Sequence, residues 1–223
     1  MVPSTNTWVT GSWRFGTPLD DEDHPEHAFE SALVVLEELE VLKQALKAEM
    51  EESGERHIPL KVGVGINTGD CVVGNMSSEQ RFDFSVLGDA VNLAARLEGQ
   101  CKNYGVGIVI GEETKAVISD KFAPMELDLI AVKGKAEAAR IHTILDREDM
   151  LHQEDFWALR TQHDEMLDAY RRQDWARARK LINRCRDADG SFNDLYDLYE
   201  ERIVFYLHPL EPEWDGVFVA ETK

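Results

Sequence analysis

Apolar residues recur at spacings of three and four through residues 28–52, where Ala28, Ala32, Leu36, Leu39, Leu42 and Leu46 share one side of a helix. Pro25 suits that helix's first turn, and the acids of residues 17–26 suit its positive end. The pattern breaks at 53–57, and the period then drops to two. Leu60, Val62, Val64 and Ile66 alternate along one strand face. A short run at 71–74 follows, and Phe82, Phe84 and Val86 alternate along a further strand at 81–87. Gly63, Gly65, Gly69 and Gly74 punctuate this stretch and predict close backbone approach or tight turning. A helix is predicted from Ala90 to about Asn103, with Asp89 as its N-cap. A strand at 106–110 and a short helix at 112–119 follow, then strands at 125–132 and 139–145 around the turn Lys133-Gly134-Lys135. This alternation indicates an α/β chain, or an α+β chain with a mostly antiparallel sheet.

The character changes after Asp146. Residues 156–172 and 175–185 read as paired helices joined at Gln173-Asp174, with a third helix at 195–207. Leu167, Tyr170, Trp175, Ala178 and Leu181 have the pattern of a tetratricopeptide (TPR) repeat. Fewer than two repeats are visible, and such arrays need about three for a core of their own. The pair is therefore expected to pack on the preceding domain or on a partner. The chain divides into an unassigned segment at 1–14, a mixed domain at 15–146, a small all-α TPR-like extension at 150–207 and a tail at 208–223.

Composition narrows the partners. The 223 residues, 43% of them hydrophobic, can bury one medium domain plus an appendage. The formal net charge of −19 repels nucleic-acid phosphates and anionic membranes, so neither is an expected partner. A polyanionic nucleotide would need a locally basic pocket. Cys71, Cys101 and Cys185 are scattered and form no CxxC pair, which argues against a disulfide framework or a zinc site and for reduced thiols in the cytoplasm. No run approaches the roughly 18 apolar residues of a membrane span, and no signal-peptide pattern opens the chain. The expectation is a cytoplasmic chain without membrane contact of its own.

The densest chemistry lies at 88–96, GDAVNLAAR. Asn92 and Arg96 are four apart, so on a helix their side chains lie one turn apart on one face, and an amide and a guanidinium could address one nucleotide together. Arginine carries the permanent charge and planar fork that phosphate oxygens favour. The run FDFSVLGDAVNLAARLE at 82–98, with KVGVGINTGDCVVGN at 61–75, resembles the second half of a class III nucleotide cyclase catalytic domain. The resemblance implies a ferredoxin-like α+β domain that works as a head-to-tail dimer, either a homodimer or a pair with another cyclase protomer. One domain of such a pair gives two aspartates that hold Mg²⁺ or Mn²⁺, and the other gives an asparagine and an arginine. By resemblance Asn92 orients the ribose and Arg96 stabilises the transferring phosphoryl group. The same resemblance implies that Lys133, in VKGK, binds the triphosphate and that Ser85, seven residues before Asn92, helps read the purine, with a weak preference for ATP over GTP. Residues 75–81 resemble the arm that contacts the partner protomer.

The resemblance covers residues 15–145. FGTPLDDEDH at 15–24 matches a motif that follows the second metal aspartate in the family, and counting back places that aspartate at Trp8-Val9, where no carboxylate stands. The first strand, with the first aspartate, has no counterpart. Asp70, Asp83 and Asp89 read as turn, solvent-face or cap residues, and His24 and His27 as solvent-exposed. No metal is expected on this chain's own carboxylates. The reading is an adenylate cyclase represented by a partial catalytic domain, inactive alone and only marginally stable. The alternatives are a regulatory pseudo-cyclase and an interaction module built on the helical tail. That extension resembles the C-terminal part of bacterial sensor cyclases anchored in the inner membrane.

Overall fold

The computed structural model describes residues 13, 15–16, 21–54, 60–75, 84–131, 138–144, 154–206, 214 and 216–219. A 30-residue helix, α1 (His24–Ser53), precedes three short strands, β1 (Val64–Ile66), β2 (Val72–Asn75) and β3 (Phe84–Leu87). Then come α2 (Asp89–Tyr104), β4 (Ile108–Gly111), α3 (Glu112–Ile118), β5 (Pro124–Ala131) and β6 (Ala138–Ile144). Three helices follow, α4 (Glu154–Arg171), α5 (Trp175–Ala188) and α6 (Asn193–Tyr206), and a last strand, β7 (Phe218–Val219). The main sheet has the order β1-β4-β6-β5-β7, while β2 and β3 form a separate antiparallel ribbon. The sheet is mixed: β1 runs parallel to β4 and β7 parallel to β5, whereas β6 is antiparallel to both β4 and β5.

Side-chain alternation along β4 separates two cores. Ile108 and Ile110 join Phe29 and Ala32 of α1, Ile118 of α3 and Phe122. Val109 points the other way, into a larger cluster with Leu93, Leu97 and Tyr104 of α2 and Met125, Leu127, Ile130 and Ile141 of the sheet. The same cluster takes in Leu159, Met166 and Tyr170 of α4, Leu181 and Ile182 of α5, and Leu195, Tyr199 and Ile203 of α6. The helices after residue 150 thus lie beside α2 on one face of the sheet. Polar contacts hold them there: Tyr199 donates its hydroxyl to Leu127 O at 2.5 Å, and His163 Nε2 donates to Glu126 O at 2.7 Å. Arg171 and Arg140 both pair with the Glu126 carboxylate. Burial works against that charge, but the two guanidiniums hold the carboxyl below its usual range.

Several expectations shift. The strand read at 60–67 narrows to Val64–Ile66. The N-cap of α2 is Gly88, with no side-chain cap, and Asp89 is its first helical residue, where its charge still suits the helix's positive end. The stripe expected along α1 is only partly covered: Phe29 and Ala32 are buried, while Leu42 is 48% exposed. β7 was not anticipated in the tail. It pairs through Phe218 and Val219 with Ile130 and Ala131, the last two residues of β5. No described helix is long and apolar enough to cross a membrane.

Candidate active site

Helix α2 carries the two residues that chemistry singles out. Leu93, Leu97, Gln100, Cys101 and Tyr104 form its buried face, and this three-and-four spacing leaves Asn92 exposed and Arg96 partly buried along the adjoining strip. Among the described residues neither side chain makes a hydrogen bond or an ion pair. The helix sits unusually close to β1 because β1 contains glycine. A Cβ at Gly65 would overlap the Ala94 carbonyl oxygen and the Glu98 amide, and one at Gly63 would come within 2.8 Å of Cys101 Cβ. Cys101 Sγ lies 3.5 Å from Val64 O, and burial pushes its thiol up to about 12, so it acts as a neutral packing group. At the helix's other end Asn67 Nδ2 donates to Ala90 O at 3.3 Å, tying the loop after β1 to the first turn of α2. The glycines expected to permit close approach therefore set the depth at which Asn92 and Arg96 stand.

Of the other site residues, Ser85 lies in β3, its backbone opposite Gly74 of β2, and its side chain lies outside the described residues. Lys133 also lies outside them, two residues beyond the end of β5 in sequence. Asp83 is likewise outside them. Asp70 and Asp89 are exposed. His27 Nδ1 is 2.8 Å from Asp21 Oδ2, and that hydrogen bond raises the imidazole's pKa. Among the described residues no group of three or more His, Cys, Asp or Glu side chains could hold a metal ion.

A second polar grouping, which no local pattern announces, joins Arg202 of α6 to the Asp128 carboxylate of β5 and the Tyr104 hydroxyl of α2. Arg202 stands on the apolar stripe Leu195, Tyr199, Ile203 of α6, and Asp128 interrupts the apolar run of β5. A charge on a core stripe is the signal that could have found them.

The family model for the adenylate and guanylate cyclase catalytic domain matches residues 13–146. The chain belongs to this family, the class III nucleotide cyclase catalytic domains, and its mixed sheet with flanking helices matches the cyclase fold. Over 102 residues it is 42% identical to the terminal-differentiation-specific adenylate cyclase of Dictyostelium discoideum, a match covering 44% of this chain and 5% of that protein. Over 134 residues it is 35% identical to adenylate cyclase 1 of Rhizobium meliloti (strain 1021), covering 59% of this chain and 19% of that one. Among solved structures, the adenylyl cyclase CyaB from P. aeruginosa aligns with a TM-score of 0.50 and 31% identity, over 59% of this chain and 65% of that chain. The chain thus spans under a fifth of the length of these two curated relatives.

Proposed function

We propose that this chain supplies the asparagine–arginine half of an adenylyl cyclase site, completed by a protomer that brings the metal-binding aspartates. The observation that carries the reading is the side-by-side placement of Asn92 and Arg96 on α2, a helix seated on Gly65 of β1 and on Gly63 just before it. In the proposed reaction the ribose 3′ oxygen of ATP attacks the α-phosphorus in line, forming the cyclic 3′,5′ ester as the bond to pyrophosphate breaks. Asn92 orients the ribose by hydrogen bonding. The Arg96 guanidinium meets the negative charge that spreads over the phosphoryl oxygens, a charge-assisted interaction that strengthens as the transition state forms. Lys133 holds the triphosphate, and Ser85 contributes to purine recognition. The divalent cations, Mg²⁺ or Mn²⁺, come with the partner's carboxylates. The adenylate cyclase relatives support ATP as substrate.

The test mixes this chain with a cyclase protomer that keeps its metal aspartates but lacks its own asparagine and arginine, in manganese and ATP. Cyclic AMP should form in the mixture and not with either chain alone. Arg96→Ala should lower kcat roughly 100- to 1000-fold, as removal of a transition-state donor does elsewhere, and Asn92→Ala should lower it in the same sense. A mixture that stays silent although both chains are folded overturns the reading.

A further inference from the structure

The Arg202 guanidinium sits where α6, α2 and β5 meet. Its Nη1 donates to Asp128 Oδ2 of β5 at 2.6 Å, and its Nη2 donates to the Tyr104 hydroxyl of α2 at 3.2 Å. That hydroxyl donates in turn to the same Asp128 oxygen at 2.7 Å, while Asp128 Oδ1 accepts from Leu129 N at 2.7 Å. The guanidinium carbon lies 3.5 Å from the centroid of the Phe218 ring of β7 and 5.4 Å and 5.5 Å from those of Tyr104 and Tyr199. Exposure is 6% for Arg202, 1% for Asp128 and 0% for Tyr104.

Stability alone is a poor account of this cluster. Removing two charges from water offsets much of their attraction, so an apolar set of similar volume often serves as well or better. A planar fork bonded to two acceptors on two elements does something an apolar contact does not: it fixes their relative position and rotation. One of those elements is α2. Tyr104 lies eight residues beyond Arg96, or about 12 Å along the helix axis. The chain leaves α2 through Gly105 at φ +68°, where a Cβ would overlap Asp194 of α6, so the C-terminal helix also abuts the end of the catalytic helix.

We propose that Arg202, with Tyr104 and Asp128, is a positioning cluster through which the C-terminal helices hold α2 against β5 and so set where Asn92 and Arg96 stand. Its catalytic consequence rests on the cyclase reading above. The placement of α2 does not.

The test uses the full chain with Arg202→Met and Asp128→Asn together. The asparagine keeps the bond from Leu129 N through its oxygen and can donate its amide to the Tyr104 hydroxyl, so charge is removed and that hydroxyl keeps one partner while its own proton loses its acceptor. We expect this double variant to melt within about 5 °C of the parent. We expect faster backbone exchange at residues 92–97. In the mixed assay kcat should fall roughly ten- to a hundred-fold, with KM for ATP changed less than about threefold. Arg202→Lys keeps the charge but cannot bond Asp128 and Tyr104 with one planar fork, and it should show the same split to a smaller degree. Parent-like exchange and parent-like kcat in a folded double variant would overturn the proposal. If the double variant does not fold, the same result in Arg202→Lys would overturn it. If the parent mixture makes no cyclic AMP, the cyclase reading fails and exchange at α2 alone decides whether the cluster positions the helix.

Discussion

At His163 burial and hydrogen bonding select one protonation state. Nε2 donates to Glu126 O, so Nδ1 is the acceptor and faces the Tyr196 hydroxyl at 3.3 Å. Burial lowers the pKa to about 4, Glu126 opposing the shift and Arg171 adding to it. His142, 3.5 Å from Glu112, is lowered by burial to about 4 as well. Unfolded, each would titrate near its ordinary 6.5. The unfolded chain therefore binds more protons between the two values, and the stability contributed above pH 6.5 is lost as pH falls toward 4. Going from pH 7 to pH 5 should cost about 2 kcal/mol per histidine, read as a fall in the denaturation midpoint. His163→Gln can donate and accept at the same places without titrating, so it should flatten that slope. A slope unchanged in the variant would remove His163 from the account. The same scale shows what a sequence yields. Asn92 and Arg96 were legible because one helical turn brings them together. Arg202 and Asp128 were not, because their bond joins positions 74 residues apart.

Elements were easier to read than their partners. The period of three to four located α1, α2 and the paired helices within a few residues, since an apolar stripe is a local property. What covers a stripe is not local: α1 shows the expected repeat, yet Leu42 is 48% exposed, while the core is met chiefly through Phe29 and Ala32. β7 was missed because two residues carry no period, and it exists through its pairing with the end of β5. Gly65 of β1 and Gly63 just before it are legible as close-approach positions, and that reading has a direct test. Gly65→Ala would push against the backbone of α2 at Ala94 and Glu98, which cannot yield without moving the helix. We expect a loss of about 1–3 kcal/mol. Gly99→Ala, on the same helix with nothing within 4 Å of the added carbon, should instead gain about 1 kcal/mol. Urea midpoints moving in opposite directions would confirm that α2 rests on β1 at Gly65, and a neutral Gly65→Ala would refute it.

For the whole molecule, the shared cluster decides how the chain unfolds. Leu97 and Tyr104 of α2, Met125 and Leu127 of β5, and Tyr170, Leu195, Tyr199 and Ile203 of the C-terminal helices are at most 1% exposed and belong to one core. Cutting the chain after residue 146 would bare the part of that sheet face that α2 leaves uncovered and the side of α2 that meets the C-terminal helices. Each large apolar side chain so uncovered forfeits about 1.5–3 kcal/mol. A handful of them matches the roughly 5–15 kcal/mol by which a folded domain is stable. The C-terminal helices are therefore expected to be part of the fold that carries α2, even though their repeat-like pattern reads as an appendage. The 223-residue chain should melt in one transition, with far-UV circular dichroism and tryptophan fluorescence coincident, because the Trp175 and Trp214 rings meet the Tyr170 ring edge-on at the same core. A chain ending at 146 should aggregate or melt without cooperativity. A monomeric 1–146 fragment with a sharp transition would show instead that the sheet and its two faces are complete without the helices, and that α2 keeps its place without Arg202.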